Sequence, residues 1–191
     1  MARVLIPLAP GCEELEAVTL IDLLRRAQIE VVTAGLAAGA VKCARGTQLL
    51  PDTTLDVALQ QDFDMVVLPG GEPGATNLQN DARVLALLKK MAAAGKFTAA
   101  ICAAPKVLAA AGVLDGKHAT SYPGAIDAAR FPRVQLETRA VVCDGQVLTS
   151  RGPGTAMDFA LALIEVLTER ATRNKVESGL LRPAAHTVGD A

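Results

Sequence analysis

Apolar residues fall along this chain in short unbroken blocks and in longer stretches with helical spacing. Arg3–Leu8 reads as a buried strand and Glu14–Ala27 as a helix, its apolar positions recurring every three or four residues. Ile29–Ala34 is the next strand, and Val41–Leu50 predicts a hairpin or irregular excursion around Arg45-Gly46. Met65–Leu68 is a strand closed by Pro69-Gly70-Gly71, and Asp81–Ala94 a helix begun by an acidic cap. Phe97–Ile101 is a strand running into a helix that opens Ala103-Ala104-Pro105-Lys106, with Pro105 suited to a first helical position. His118–Ser121 predicts a short strand. Val141–Cys143 and Gln146–Thr149 predict a hairpin turning on Asp144-Gly145, and Pro153–Arg170 a closing helix.

Strand and helix alternate throughout, which argues for an α/β fold with a mostly parallel sheet covered by helices on both faces. In such sheets ligands bind beyond the carboxyl ends of the strands. The loops at residues 9–16, 69–74 and 102–105 all follow strands and are expected to meet there. No repeat or linker divides the chain, so one domain is expected over residues 1–181, with a polar, mobile tail at 182–191.

Composition narrows the function classes. The chain has 191 residues, 51% of them hydrophobic, enough for one well-filled domain. A net charge of −1 with mixed signs argues against a nucleic-acid or membrane surface, and 3% aromatic residues against a base-stacking one. Cys12, Cys43, Cys102 and Cys143 are far apart in sequence and form no CxxC pair. With only His118 and His186 beside them, neither a zinc-type ligand set nor a structural disulfide is expected. The start of the chain shows no signal peptide and no apolar run is long enough to span a bilayer, which predicts a cytoplasmic protein.

Cys102 stands at the strand-to-helix turn, with small neighbours Ala103 and Ala104. A thiol there meets the free N–H groups and dipole of the helix start, which favour a thiolate, the logic of a nucleophile elbow. A buried cysteine serving as a small hydrophobe fits the same spacing. Glu16 is the second unusual residue. Glu13 and Glu14 suit a first helical turn, but Glu16 shares a face with Leu20, Leu23, Leu24 and Ala27. A carboxyl on that stripe must find a partner or take up a proton, and a protonated one can exchange that proton with a substrate. The same helix carries Leu15, Val18 and Ile21 on another face, for which a homodimer contact is the economical cover. In Leu68-Pro69-Gly70-Gly71 the glycines let backbone approach a bound group, and their N–H groups with that of Ala103 fit an oxyanion pocket. A plain strand terminator has the same sequence.

Taken together, Glu13-Glu14-x-Glu16, Leu68-Pro69-Gly70-Gly71, Ala99-Ala100-Ile101-Cys102-Ala103-Ala104-Pro105 and Ser150-Arg151-Gly152-Pro153-Gly154-Thr155 occur in the order and rough spacing of the ThiJ/PfpI superfamily. The chain resembles most the branch of the parkinsonism-associated deglycase protein and its bacterial relatives. The resemblance implies a flavodoxin-like three-layer sandwich, a homodimer, and a reactive cysteine paired with a protonated glutamate, here Cys102 and Glu16. It assigns Gly71 and Ala103 to the backbone N–H groups facing the cysteine. It also places Arg45 near the pocket and dimer seam and Arg26 near that seam. The implied activities need no cofactor: conversion of glyoxal or methylglyoxal to a hydroxy acid, and repair of glycated proteins. Redox sensing and chaperone-like holding through the same cysteine are the alternative. Two family histidines are missing, since Tyr122 precedes Pro123 where the human-type member has one, and Ala103 follows the cysteine where the protease-like branch has another. A Cys–His–acid peptidase mechanism is therefore not expected. Tyr122 is placed to donate a hydrogen bond to a substrate oxygen.

Overall fold

The chain, described over residues 1–182 in a computed structural model, winds around a seven-stranded sheet. In chain order come β1 (Arg3–Leu8), α1 (Glu14–Arg26), β2 (Glu30–Gly35), β3 (Val41–Lys42), β4 (Gln48–Leu49), β5 (Thr53–Thr54), α2 (Leu55–Ala58) and β6 (Met65–Leu68). They are followed by α3 (Gly74–Asn80), α4 (Ala82–Ala93), β7 (Phe97–Ile101), α5 (Pro105–Ala110), β8 (His118–Ala119) and β9 (Gln135–Leu136). The last elements are β10 (Val141–Asp144), β11 (Val147–Ser150), a 3₁₀ turn at Pro153–Thr155, α6 (Ala156–Leu167) and α7 (Arg170–Gly179).

The sheet runs β10-β11-β7-β6-β1-β2-β5, and only the β10–β11 pair is antiparallel. Its central strands are apolar on both faces because helices cover both. Val4, Leu5 and Ile6 of β1 and all of β6 are inaccessible to solvent. Going from β1 to β2 the chain moves one way along the sheet, and from β6 to β7 the other way. Right-handed crossovers then put α1 on one face and α3 and α4 on the opposite one. α6 packs on α1, while α5 joins α3 and α4, which completes a flavodoxin-like α/β sandwich. The reversal lies between β1 and β6, and the loops after these two strands part there to leave a crevice.

Several elements differ from the sequence reading. The closing helix expected over Pro153–Arg170 is the 3₁₀ turn followed by α6, which stops at Leu167, and a further helix, α7, starts at Arg170. α7 went unread because it has almost no apolar stripe. Only Val176 is buried, and ion pairs such as Arg173–Glu177 at 2.6 Å dress its surface. α3, with the sequence Gly-Ala-Thr-Asn-Leu-Gln-Asn, reads as loop by composition, and β5 is a two-residue edge pairing with β2. The β10–β11 turn falls on Gly145-Gln146, one residue late, because Gly145 supplies the left-handed φ of +64°. Arg182, placed in the tail, pairs with Asp158, and the rest of that tail lies outside the described residues. No helix among the described residues is long and apolar enough to cross a membrane.

The acidic cap forms as expected, with the Asp81 carboxylate accepting from the Arg83 N–H at 2.9 Å. Asp81→Ala should lower stability by about 1 kcal/mol. Urea unfolding should show this as a lower midpoint with an unchanged slope.

Candidate active site

Four loops close over the carboxyl ends of β1, β6, β7 and β11, and backbone hydrogen bonds tie them together. The Glu13 N–H donates to the Gly70 carbonyl at 2.9 Å, and the Gly74 N–H to that of Gly11 at 3.1 Å. Cys102 follows β7 in a left-handed conformation, φ 62°, which costs a non-glycine residue about 1–3 kcal/mol. Two bonds hold it there: the Cys102 N–H donates to the Ser150 carbonyl at 3.0 Å, and the Tyr122 N–H to the Cys102 carbonyl at 2.7 Å. The helix proper begins at Pro105, so Ala103 and Ala104 belong to the turn rather than to the helix opening.

Glu16 is fully buried on the stripe with Leu20, Leu23 and Leu24. Its Oε2 accepts from the Gly70 N–H at 2.8 Å, and its Oε1 is buried with no hydrogen-bond partner among the described residues. Gly70 is where the two side chains meet. A Cβ on it would lie 2.7 Å from the Cys102 Cβ and 2.9 Å from Glu16 Oε2. Gly71, at φ +85°, leaves no room either, since its Cβ would come within 2.4 Å of the Glu13 nitrogen.

Burial raises the Glu16 carboxyl from its ordinary 4.5 to about 7, against the stabilising Gly70 N–H and Cys102 thiol. Burial first, and then the Glu16 charge, push the Cys102 thiol up to about 12, while the N–H groups of Gly71 and Ala103 pull it back. The expectation that the helix start favours a thiolate is thus corrected. α5 has six residues, and its field is outweighed by desolvation and by the neighbouring carboxylate. The pair accommodates one negative charge, so a thiolate requires that Glu16 keep its proton.

Cys102 opens into a pocket of about 350 Å³ lined also by Gly71, Ala103, Tyr122 and Arg45. Glu13, Ala44, Glu72 and Pro153 complete the lining, and the sequence reading had not assigned them there. Glu72 is signalled only by its place after the Gly-Gly pair, and it pairs with Lys106. Tyr122 is half exposed at the rim, and the Arg45 side chain is largely in solvent, 3.9 Å from Glu13. Gly70, expected to line an oxyanion pocket, does not, because its N–H is taken by the Glu16 carboxyl. Arg26 and Leu15, expected at the pocket or the dimer seam, do not line the pocket either. Arg26 lies at the other end of α1, about 20 Å along a helix of this length, and pairs with Asp22. Leu15 is exposed outside the lining, and Val18 beside it is exposed too. His118 is at the surface against Glu137, at 2.7 Å, and His186 lies outside the described residues. A roomier cavity, about 620 Å³, sits at the amino-terminal end of the strands among Phe63, Leu87 and Met91, and no thiol or hydroxyl lines it. Among the described residues no group of three or more His, Cys, Asp or Glu is placed to hold a metal ion.

Residues 2–166 match the DJ-1/PfpI family. The chain belongs to that family. It is 46% identical over 178 residues to Protein dj-1beta of Drosophila melanogaster, covering 93% of this chain and 95% of that one. The crystal structure of Drosophila melanogaster DJ-1beta superposes with a TM-score of 0.91 at 44% identity, covering 96% of this chain and 99% of that chain. A glutathione-independent glyoxalase, DJR-1.2 of Caenorhabditis elegans, is 35% identical over 166 residues, which are 87% of this chain and 88% of that protein. Family membership therefore rests on nearly the whole chain, beyond the four loops from which it was first read.

Because the folded protein holds the Glu16 proton more tightly than the unfolded chain, stability should fall as pH rises from about 4.5 to about 7. The full penalty, on the order of 3 kcal/mol, is then present above that window. Glu16→Gln should remove the slope. Denaturant midpoints of the two proteins, compared at mildly acid and mildly alkaline pH, check this.

Proposed function

We propose that this protein converts glyoxal and methylglyoxal to the corresponding hydroxy acids without a cofactor, using Cys102 as nucleophile and Glu16 as proton carrier. The observation that carries the reading is a strained, clamped cysteine sharing one charge with a buried glutamate at the floor of a small open pocket. The glyoxalase among its relatives supports the substrate class.

The Cys102 thiolate attacks the aldehyde carbon, and the carbonyl electron pair moves onto oxygen. The Gly71 and Ala103 N–H groups, which already point at the sulfur, stabilise the oxyanion. Glu16 protonates it, giving a hemithioacetal, and as a carboxylate then removes the proton on the same carbon. Returning that proton to the neighbouring carbon through an enediol leaves an α-hydroxy thioester. Water cleaves the carbon–sulfur bond, releases glycolate or lactate and restores the thiol. The first carbon is oxidised and the second reduced, so no external electron acceptor is needed. Tyr122 at the rim is within the pocket to donate to the second carbonyl oxygen.

Lactate formation from methylglyoxal without glutathione should vanish in Cys102→Ser. In Glu16→Gln it should fall by about 10²–10⁴. The same Glu16→Gln change removes a negative charge from beside the sulfur, so alkylation of Cys102 at neutral pH should become faster. Slower turnover with a more reactive thiol separates proton transfer from loss of fold. Stoichiometric trapping of methylglyoxal without turnover in the wild type would overturn the reading in favour of a redox-sensing protein.

The exposed Leu15 and Val18, on the outer face of α1, support a homodimer through that helix. Leu15→Glu should shift sedimentation from dimer to monomer. An unchanged dimer would place the interface elsewhere.

A further inference from the structure

The four cysteines are scattered in sequence, yet the fold brings two of them together away from the elbow. Cys12 ends the loop after β1, and Cys43 follows β3 at the start of the β3–β4 turn. Their sulfurs lie 3.6 Å apart, both buried, although the two residues are 31 positions apart along the chain. Backbone bonds fix this approach on both sides: the Gly11 N–H donates to the Lys42 carbonyl and the Ala44 N–H to the Cys12 carbonyl, each at 2.8 Å. The turn itself is closed by the Cys43 N–H on the Thr47 carbonyl, at 2.8 Å, and by the Arg45 N–H on the Glu14 carboxylate, at 3.1 Å. The two segments are thus already aligned before any bond forms, and the sulfurs need to close by about 1.5 Å to reach disulfide distance.

We propose that Cys12 and Cys43 are a redox-active dithiol that a peroxide oxidises to an intramolecular disulfide, separately from the chemistry of Cys102. One thiol attacks the peroxide, the O–O bond breaks, and a sulfenic acid forms with release of water or alcohol. The partner sulfur then displaces the sulfenic oxygen as water, forming the S–S bond. Two thiols lose two electrons and two protons in all, and the peroxide is reduced.

The surroundings set the character of the pair. Burial raises both thiols, and the carboxylates of Glu14 and, at Cys43, Glu13 add to the effect, while the Arg45 guanidinium lies 3.9 Å from Glu13. Neither thiol is therefore a fast peroxide scavenger. What the geometry supplies is a resolving partner at hand, so a sulfenic acid on either sulfur is captured before it is oxidised further. Cys12 adjoins Glu13, and Cys43 adjoins Ala44 and Arg45, all three of which line the candidate active-site pocket. The disulfide would join the two segments that form that wall.

The test uses the full chain carrying Cys102→Ser and Cys143→Ser, which leaves these two thiols alone. Hydrogen peroxide should remove both thiols together, giving a monomeric chain lighter by two hydrogens and a cross-linked peptide pair, reversed by dithiothreitol. Adding Cys12→Ser should abolish the cross-link and let Cys43 collect oxygen atoms instead. Circular dichroism establishes that each variant is folded. Thiols that stay free until the protein unfolds, or oxygen added to one cysteine while the other remains a thiol, would overturn the proposal. Because Cys102 is absent from this background, the outcome does not depend on the proposed carbonyl chemistry.

Discussion

A single backbone N–H, that of Gly70, satisfies the one carboxyl buried on the apolar face of α1. That contact fixes the relation of three elements at once. It ties the first turn of α1 to the loop after β6, and it requires a residue without a side chain where that loop passes Cys102. A longer residue at position 70 would separate the carboxyl from the thiol, and a shorter acid at position 16 would not reach the loop. The energetic tension is built in. A half-satisfied carboxyl in a dry environment is costly when ionised, and the cost is relieved by a proton. Proton affinity at the site thus follows from packing, with no histidine beside it among the described residues.

The fold's topology explains why these groups meet. β1 and β6 are neighbours in the sheet, but their connections leave in opposite directions. The loops that follow them must part, and Cys102, arriving on the next strand, faces the gap. The loops are then stitched by main-chain bonds that any sequence with the same backbone could make. The chemistry comes from the few side chains and missing side chains placed on them.

Much of this was legible in the sequence. Unbroken apolar blocks marked β1, β6 and β7, because strands covered on both faces need no polar side. Glu16 declared itself by interrupting a stripe of leucines. What stayed hidden has physical reasons. α7 is held by ion pairs and one buried valine, so it has no periodicity to read. Glu72 enters the pocket through the shape of a loop. The nearness of Cys12 and Cys43 depends on how the β3–β4 hairpin folds back on the first loop, a tertiary contact with no local signature. Charge coupling was legible in part: a buried glutamate was anticipated, but burial of the thiol, and after it the glutamate's charge, reversed the influence expected from the helix start.

The clamp on Cys102 has a consequence for the order in which the molecule matures. The groups that hold its left-handed backbone are the carbonyl of Ser150 and the N–H of Tyr122, both later in the chain than the cysteine itself. Glu16 and Gly70, by contrast, are earlier. During synthesis the acid and its loop are complete first, while the cysteine is free to relax into an ordinary turn. Strain at that position persists only once β11 has docked beside β7. A nascent or truncated chain therefore carries an unshaped thiol, and the clamped geometry appears only when the fold is nearly finished.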